Sequence, residues 1–599
     1  MANIHHRPTH SGRTTALVTL VTLVTLVTLA GAAARADAFR PIDATMTDRT
    51  VVLDGHHLTI GEVVDVARDG AHVSLSPQAR QRAADAYGLL LEAAREGVPV
   101  GGLDRGTGAD RRIRWFAGDP TATENQKRIA ARELALFQRG AFAGAGPPIA
   151  DESVVRAMLV VRANTMTAEA ASPALIQQLI DLLNDRITPV VRSRGTAGDG
   201  DRSQFMNVAA TMVGVGDAYY RGERMSAAAA LRRAGLHPLA PFGADDRVLV
   251  GSNAYFTGVA ALMTYDARDA LSWADLTDAI DLDGMNADVA PLALPARQGR
   301  PFPWLNWDAA RVLDMLRGSY LFALDGQRTA PDPQSLRASN VRQGAAWQAW
   351  TRMRDDLLIA MNSSDLDLTV RVGASPGDSW ELATPQLRRY YVVGGPLSHG
   401  EHGYVLPSAN ADPYPLANDV EAFTIALANL DEAVAQRILR FTSTRFTVIP
   451  PMPDLPGRAD SYGLARASDD VVADLVQDVV AQTDPVPPAG YGLGKDVRDL
   501  QAQTRIKITR ARRAVDDSVQ LLAEDLLTGT YWLDLRKLQD AHRAFGAAPT
   551  AAWTAFRRVV PFKPDAALAL SRPVATVAAE FIRTHPIERF YGAAARNAR

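Results

Sequence analysis

The sequence predicts a mainly α-helical protein in which short strands are confined to the N-terminal part. Apolar residues recur at steps of three and four over long stretches, which is the spacing of amphipathic helices. β-branched alternation is thin after residue 120, and Pro and Gly punctuate the helical stretches. The 599 residues are 47% hydrophobic, enough to bury a core larger than that of one ordinary domain. We therefore expect a long helical bundle with a small α+β part at its start.

The N-terminus has the composition of a secretory signal peptide. Arg7 and Arg13 precede an apolar run over residues 16–30, and residues 34–38 (ARADA) contain two small-x-small cleavage sites. The run is shorter than the ~20 apolar residues that a membrane span needs. We expect cleavage near residue 38 and export to the periplasm or the exterior, with no integral span in the mature chain. An uncleaved membrane anchor is the alternative.

The next part of the chain combines a strand signal with helices and one loop. Alternating β-branched residues over 51–62 indicate a short strand or hairpin. Residues 79–96 carry an apolar stripe at helical spacing, and residues 99–108 form a Gly-rich loop that we expect to be mobile. Leucines between 175 and 183 mark a further amphipathic helix, which Pro189 terminates.

Helices dominate the rest of the sequence. Apolar residues between 420 and 441 recur at three- and four-residue steps, which predicts a long helix with one buried face. Short strand signals remain near residues 370–372 and 390–393. We place the parts of the chain as a signal peptide over 1–38, an N-terminal domain over 39–240, a central helical bundle over 241–520 and C-terminal helices over 521–599.

Charge and cysteine content exclude several classes of function. A net charge of −3 and a pI near 6.4 argue against nucleic acid as the main partner. The chain has no Cys, which excludes disulfides, thiolate metal sites and cysteine nucleophiles. His399 and His402 lie close together in the sequence but lack a clear third ligand, so no metal site is expected.

Six stretches, taken in order, match the motifs of one enzyme family. They are residues 101–108 (GGLDRGTG), 162–167 (RANTMT), 182–191 (LLNDRITPVV), 251–253 (GSN), 332–341 (DPQSLRASNV) and 409–417 (ANADPYPLA). The family motifs read Y-G-x-N-T-G-F-G, R-x-N-x-L-A, L-L-N-x-x-x-x-P-x-V, N-G-T, D-P-Y-S-L-R-C-x-P-Q and G-N-F-H-G-x-P-L-A. The sequence therefore resembles the aromatic-amino-acid ammonia-lyases, which act on histidine, phenylalanine or tyrosine. The resemblance implies an ammonia-lyase/fumarase-like helical bundle and a homotetramer whose sites combine residues from more than one subunit.

The position of the family's electrophile is altered in this chain. Such enzymes cyclise an Ala-Ser-Gly tripeptide to methylidene-imidazolone, and the serine must lose water to give the exocyclic methylene. Here the three positions read Gly198-Asp199-Gly200. An aspartate cannot lose water to give that alkene. We therefore expect no methylidene-imidazolone and no other cofactor.

Further positions of the family site are also replaced. The tyrosine that serves as base in the first motif aligns with Gly101, and the tyrosine of the fifth motif aligns with Gln334. The asparagine expected to contact the cofactor aligns with Gly251. The late Q-E-D motif aligns with Gly494-Lys495-Asp496, so that Lys495 replaces a glutamate. Together with Asp199, these replacements indicate a changed or retired chemistry.

Two polar side chains of the family site are kept. Arg337 corresponds to the arginine that pairs with the substrate carboxylate in such enzymes, and Asn410 to the asparagine of the sixth motif. The fork of Arg337 suits a carboxylate, with an internal salt bridge as the alternative. Asn410 and Gln334 would line the same substrate site, although a buried structural amide is the more usual role for an asparagine such as Asn410.

Asp199 is the candidate catalytic base. In the family fold several helix N-termini converge on the electrophile, and their free N–H groups suit an anion. A carboxylate held there could transfer protons, with Asp201 and Asp104 expected to add acidity nearby. Lys495 would be a second candidate base if desolvated. The alternative for Asp199 is an ordinary turn, in which Asp caps a helix start.

These observations support an exported family protein that acts on a carboxylate-bearing small molecule by carboxylate acid–base chemistry, as a lyase, isomerase or cyclase. A non-catalytic binding or scaffold protein of the cell envelope, with a retired site, is the alternative. Deamination of an aromatic amino acid is a disfavoured third interpretation, because removal of the benzylic proton lacks a driving force without the electrophile.

Overall fold

The computed structural model describes residues 39–328, 330–448, 469–493, 497–562 and 570–592. The predicted signal peptide and Lys495 lie outside these residues. Within the described residues, helices far outnumber strands, which confirms the mainly α prediction. None of the described helices combines the length and the apolar character needed to cross a membrane.

The helices are numbered here in chain order. The first ten are α1 (Ile60–Ala67), α2 (Pro77–Glu96), α3 (Thr123–Arg139), α4 (Glu152–Thr165), α5 (Pro173–Asn184), α6 (Arg202–Met212), α7 (Ala227–Ala234), α8 (Asp245–Val250), α9 (Ala254–Met285) and α10 (Leu294–Gln298). The others are α11 (Pro303–Met315), α12 (Gln334–Arg337), α13 (Ser339–Met361), α14 (Pro385–Arg388), α15 (Tyr414–Arg440), α16 (Thr444–Thr447), α17 (Asp469–Val480), α18 (Thr504–Gln539), α19 (Ala547–Arg557) and α20 (Val574–Thr584).

The strands form four small sheets. They are β1 (Thr50–Leu53), β2 (His72–Leu75), β3 (Ala145–Pro148), β4 (Ile187–Pro189), β5 (Arg192–Arg194), β6 (Asp217–Tyr220), β7 (Glu223–Ser226), β8 (Leu368–Val372), β9 (Tyr391–Val392) and β10 (Gly403–Pro407). β1 pairs with β2, β3 with β5, β6 with both β4 and β7, and β10 with β8 and β9.

The start of the described chain is a β–α–β unit. β1 and β2 pair in parallel, with α1 between them, so the region predicted as a strand or hairpin is one strand followed by a helix. Thr59 and Glu62 form a reciprocal capping box at the start of α1, which explains why the chain turns helical there. Ser76 caps α2 and Gly97 ends it in a left-handed conformation, close to the predicted limits of that helix.

The core of the molecule is a bundle built around α9. This 32-residue helix packs along α18, α13 and α4, and α15 packs between α13 and α18. α9 is buried on almost every side, as expected of a helix enclosed by others rather than lying on a surface. α15 confirms the long helix predicted over residues 420–441. α18 runs without a break through the expected boundary at residue 520, so the C-terminal helices begin after Gln539.

Buried charges cross the middle of this bundle. Arg437 on α15 is fully buried, and its guanidinium contacts Asp281 on α9 at 2.7 Å and Asp525 on α18 at 2.8 Å. The Ser339 hydroxyl accepts a further hydrogen bond from Arg437 at 2.8 Å. Because a buried charge is tolerated only when it is paired, this network fixes how the central helices meet.

Candidate active site

The altered electrophile segment is a tight loop between β5 and α6. Gly195, Gly198 and Gly200 have φ values of 139°, 103° and 116°, which L side chains rarely adopt. A Cβ at Gly198 would lie 2.6 Å from the backbone N of Gln503. The loop is therefore pressed against the chain that enters α18, and glycine is required at 198 by both conformation and space.

Four helix N-termini meet around this loop. α6 begins directly after it, and the Gly200 N–H donates to Asn253 Oδ1 at the start of α9, at 3.0 Å. The Asn253 Nδ2 donates to the carbonyl of Ala411, just before α15, at 2.7 Å. The Gln503 N–H, just before α18, donates to Ala197 O at 3.2 Å. In none of the four helices does the N-cap residue's own side chain cap the helix. Their positive ends therefore point to one place.

Asp199 lies in the loop between these helix starts. Its carboxylate is half-buried and pairs with the guanidinium of Arg498 at 3.0 Å. Burial raises the pKa of Asp199, and the Asp367 carboxylate adds to the rise, while Arg498 and Arg202 oppose it. A partly accessible carboxyl group in such a balance can give and take a proton, which is what acid–base chemistry requires.

Asp201 supports the loop rather than facing the site. It is fully buried, and its carboxylate accepts the backbone N–H of Phe256 in the first turn of α9 at 2.9 Å. Its own N–H donates to Ser252 O at 2.6 Å. Burial raises the pKa of Asp201 to about 7. We therefore correct the expected role of Asp201 to that of a helix cap supplied from the neighbouring loop.

Asp104 is likewise part of the scaffold. It is fully buried, pairs with Arg105 at 2.8 Å and accepts the Val100 N–H at 2.8 Å, with no hydrogen bond or ion pair to Asp199 among the described residues. The Gly-rich loop is linked to the site through Arg247, which donates to the carbonyl of Gly101 and to that of Asp367. The predicted mobile loop is therefore anchored at both Asp104 and Arg247.

The structure does not bring Arg337 to Asp199 within one chain. Arg337 and Gln334 are exposed on α12, which follows the loop that holds the far end of α9. Asp332 accepts the N–H of Asp288, three residues beyond that end, at 2.6 Å. At 1.5 Å per residue the 32 residues of α9 span roughly 48 Å. Asp199 and Arg337 thus lie near opposite ends of one helix.

Asn410 lies at the edge of the site. It is exposed, and its amide donates to Thr369 Oγ1 at 3.4 Å. The next residue, Ala411, is held between Asn253 and Asp367, whose Oδ1 accepts the Ala411 N–H at 3.2 Å. The sixth motif is therefore connected to the Asp199 loop through the backbone of Ala411 and the side chain of Asn253.

An asparagine that contacts the loop is present two residues after the predicted position. A Cβ at Gly251 would lie 2.7 Å from Leu366 Cδ1, so this position has no room for a side chain. Asn253 instead makes the contact with the loop, and Asp365 accepts its N–H at 2.6 Å. The sequence feature that could have identified Asn253 is the Asn at the third position of the GSN stretch. Aligning GSN with N-G-T pairs the family's asparagine with Gly251 instead.

Three arginines near Asp199 had no signal in the motifs. Arg498 pairs with Asp199 from 299 residues away, and Arg247 holds the two carbonyls described above. Arg202, the first residue of α6, follows the loop directly, and its Nε is buried without a hydrogen-bond partner. His399 is exposed and His402 is partly buried, and within the described ranges no three His, Cys, Asp or Glu side chains group as possible metal ligands.

A long helical bundle with helix N-termini directed at a Gly-flanked loop defines the ammonia-lyase class of fold. The sequence profile described as aromatic amino acid lyase matches residues 58–558, and the chain belongs to this family. This confirms the resemblance drawn from the motifs.

Relatives and solved structures agree with that assignment. The chain is 28% identical over 528 residues to a histidine ammonia-lyase of Symbiobacterium thermophilum, covering 86% of this chain and 94% of the relative. It is 25% identical over 492 residues to one of Caldanaerobacter subterraneus, covering 82% and 89%. Ergothionase from Treponema denticola superposes with a TM-score of 0.72 at 22% identity, covering 89% and 99%. The phenylalanine aminomutase of Pantoea agglomerans gives 0.73 at 16%, covering 90% and 98%.

Proposed function

We propose that this chain is a lyase, isomerase or cyclase that works without methylidene-imidazolone and uses Asp199 as its acid–base group. Its substrate is a small molecule that bears a carboxylate. The observation that carries the proposal is the position of Asp199, a half-buried carboxylate paired with Arg498, in the loop between four helix starts. An ionisable group at that point stands in the position of the family's electrophile.

The residues present do not fit the family's cofactor. Its formation needs a serine hydroxyl that leaves as water, and the side chain at this position is the carboxylate of Asp199, paired with Arg498. The alanine of the family tripeptide is Gly198, where a Cβ would meet the backbone of Gln503. The proposed reaction therefore has no step on that group.

The chemistry that remains is proton transfer. Asp199 in its ionised form takes a proton from a carbon next to an electron-withdrawing group, and the negative charge that develops on the substrate is stabilised by Arg498. The proton then returns at another atom or leaves with a departing group. Isomerisation, elimination and intramolecular addition are all reactions in which the proton taken by Asp199 is given back in this way.

A complete site requires more than one copy of the chain in this proposal. Arg337 is exposed and lies near the end of α9 opposite to Asp199, so its role in binding the substrate carboxylate needs a neighbouring subunit. We propose a homotetramer on this ground and by similarity to the family. Asn410, at the edge of the Asp199 loop, and Gln334, beside Arg337, would then face one cleft from two sides. Export to the periplasm or exterior remains part of the proposal and rests on the N-terminal sequence.

One observation favours a binding or scaffold role instead. The Asp199–Arg498 ion pair is a stable arrangement for a retired site, because each charge already has a partner. Removing the charge at position 199 affects the two functions differently. A scaffold keeps its role, whereas an enzyme loses turnover.

The deciding experiment compares metabolites in strains that carry the wild-type chain, Asp199→Asn or Asp217→Asn. Asp217, on β6, forms an exposed ion pair with Arg224 and serves as the matched control. We expect a carboxylic acid to accumulate only in the Asp199→Asn strain, and the purified wild type to convert it. Identical metabolites in all three strains would favour the scaffold.

The absence of the cofactor is tested separately by the mass of the intact protein and of the peptide that contains residues 198–200. We expect the masses given by the sequence. A mass lower by lost water, or formation of cinnamate, coumarate or urocanate at ordinary enzymatic rates, would contradict the proposal and restore the aromatic ammonia-lyase interpretation.

A further inference from the structure

Arg202 stands out among the arginines around the Asp199 loop. Arg498 is paired with Asp199, and Arg247 donates to two backbone carbonyls. Arg202 makes no hydrogen bond and no ion pair within 4.0 Å to any described residue, and its Nε is buried without a partner. A guanidinium offers five donors, and the described part of the protein uses none of those of Arg202 although its Nε is buried.

The surroundings of Arg202 make this lack of partners informative. The carboxylates of Asp199, Asp367 and Asp246 act on it electrostatically, yet none approaches within ion-pair distance. Burial lowers the pKa of Arg202, and the charge of Arg498 lowers it further. A poorly solvated charge without a direct partner is unfavourable. An anionic ligand that paired with the Arg202 guanidinium would therefore lower the free energy of the site.

The position of Arg202 places it in the proposed site. It is the first residue of α6 and follows the loop directly, and its side chain lies along Gly200, with Cγ 3.6 Å from where a Cβ of that glycine would be. Arg202 also stands at the N-terminal end of α6, where the helix dipole favours an anion. The side chain and the helix end therefore offer two independent features to one anion.

We propose that Arg202 binds a second anionic group of the substrate, so that the substrate is a dicarboxylate rather than a monocarboxylate. This inference rests on the proposed function, in which Arg337 of a neighbouring copy takes the first carboxylate. A planar carboxylate fits the guanidinium fork. The nearby charges of Asp199 and Asp367 disfavour a phosphate, which carries more negative charge.

The test uses two probes that differ by one carboxylate, phenylsuccinate and 3-phenylpropanoate, with binding to the intact assembly measured by calorimetry. We expect wild type to bind phenylsuccinate about tenfold or more tightly than 3-phenylpropanoate, as for a bidentate contact. Arg202→Gln should bring the ratio close to one. Arg202→Lys should give an intermediate ratio, because it keeps the charge and loses the fork.

Two controls make the result specific. Arg224→Gln removes an exposed arginine paired with Asp217 and should leave the ratio unchanged. Arg337→Gln should weaken both probes alike. The melting temperature of each variant reports on folding, and Arg202→Lys still tests the inference if Arg202→Gln does not fold.

Equal affinity for the two probes in wild type, no binding of either, or an unchanged ratio in both Arg202 variants would overturn the inference. Its failure can be told apart from failure of the proposed function. Turnover in Asp199→Asn tests the proposed function, and the ratio of the two probe affinities tests the role of Arg202.

Discussion

Asn253 and Gly200 are joined across the site by a hydrogen bond of 3.0 Å from the glycine N–H to the asparagine Oδ1. The other end of the same amide donates to Ala411 O at 2.7 Å. One buried side chain thus ties the Asp199 loop to the starts of both α9 and α15. The position of Asp199 depends on this amide as much as on its own neighbours.

Asn253→Ala should loosen the loop. It leaves the Gly200 N–H and the Ala411 carbonyl without their partner, which costs about 1–3 kcal/mol for a buried polar group. Asn253→Asp keeps the acceptor for Gly200 but buries a carboxylate with one oxygen facing the Ala411 carbonyl, so its loss of stability should be at least as large. Urea denaturation measures the stability, and hydrogen exchange of residues 195–201 reports on the loop. Unchanged exchange in Asn253→Ala would contradict this role.

Gly198→Ala should be more damaging than an ordinary substitution of a left-handed glycine. At Gly235, where φ is 75° and nothing lies within 4 Å of a Cβ, alanine should cost about 1–2 kcal/mol. At Gly198 the same conformational cost adds to a contact of 2.6 Å with the Gln503 backbone. Denaturation of the two variants side by side gives the comparison. Equal losses would show that the loop has room to move away from α18.

Arg437→Met should destabilise the bundle strongly. The substitution leaves the buried carboxylates of Asp281 and Asp525 without their positive partner, and breaking a buried pair in this way costs about 3–5 kcal/mol. Arg224→Met removes an exposed pair with Asp217 and should cost less than about 1 kcal/mol. Chemical denaturation of both variants measures the difference. A loss as small as that of Arg224→Met would mean that the core carboxyls are already neutral.

Stability should fall as the pH rises, and Asp431 should account for part of the fall. Burial raises its pKa to about 8, with the Ser518 hydroxyl donating to it at 2.8 Å and Asp517 nearby. In the unfolded chain the pKa of Asp is about 3.9. The contribution of Asp431 is therefore complete below about pH 4 and is lost as the pH rises through about 8, by up to about 1.4 kcal/mol for each pH unit.

Asp431→Asn removes this titration and should flatten the dependence of unfolding free energy on pH between about 5 and 8. Urea denaturation at several pH values measures the slope. Asp217→Asn, on an exposed strand, should keep the slope of wild type. An Asp431→Asn profile parallel to that of wild type would rule out this residue as a source of the effect.

Chains with different defects should complement each other. If Asp199 and Arg337 act in one cleft from two copies, an assembly of Asp199→Asn and Arg337→Gln chains contains some sites that are intact. We expect co-expression to restore part of the activity that each variant alone lacks, whereas mixing after separate purification restores none until subunits exchange. Activity that stays at the level of the single variants would show that Asp199 and Arg337 do not act in one shared cleft.

The sequence predicted the long helices well because their apolar spacing extends over many turns. α2 and α15 begin and end within a few residues of the predicted limits. The strands β3 to β7 were not predicted, since each has only three or four residues, too few for alternation to be read. The parallel pairing of β1 with β2 depends on the return of the chain through α1, which a strand pattern alone does not reveal.

The site was located by motifs, and its internal contacts were not. Motif order identified the Asp199 loop, but the pairing with Arg498 joins positions 299 residues apart. Asn253 was missed because a shift of two residues in a short motif is invisible without the fold. The separation of Arg337 from Asp199 follows from the length of α9, which lies between the two motifs in the sequence and between the two residues in space.

The close approach of Gly198 to Gln503 limits the sequences that this loop can accept. An Ala-Ser-Gly tripeptide at these positions would require two substitutions, and the one at position 198 places a methyl group 2.6 Å from the backbone where the chain enters α18. Asp199→Ser alone would gain the hydroxyl without the tripeptide. The packing of the start of α18 therefore limits which side chains this loop can carry, and a residue with a Cβ at position 198 requires a shift of α18 itself.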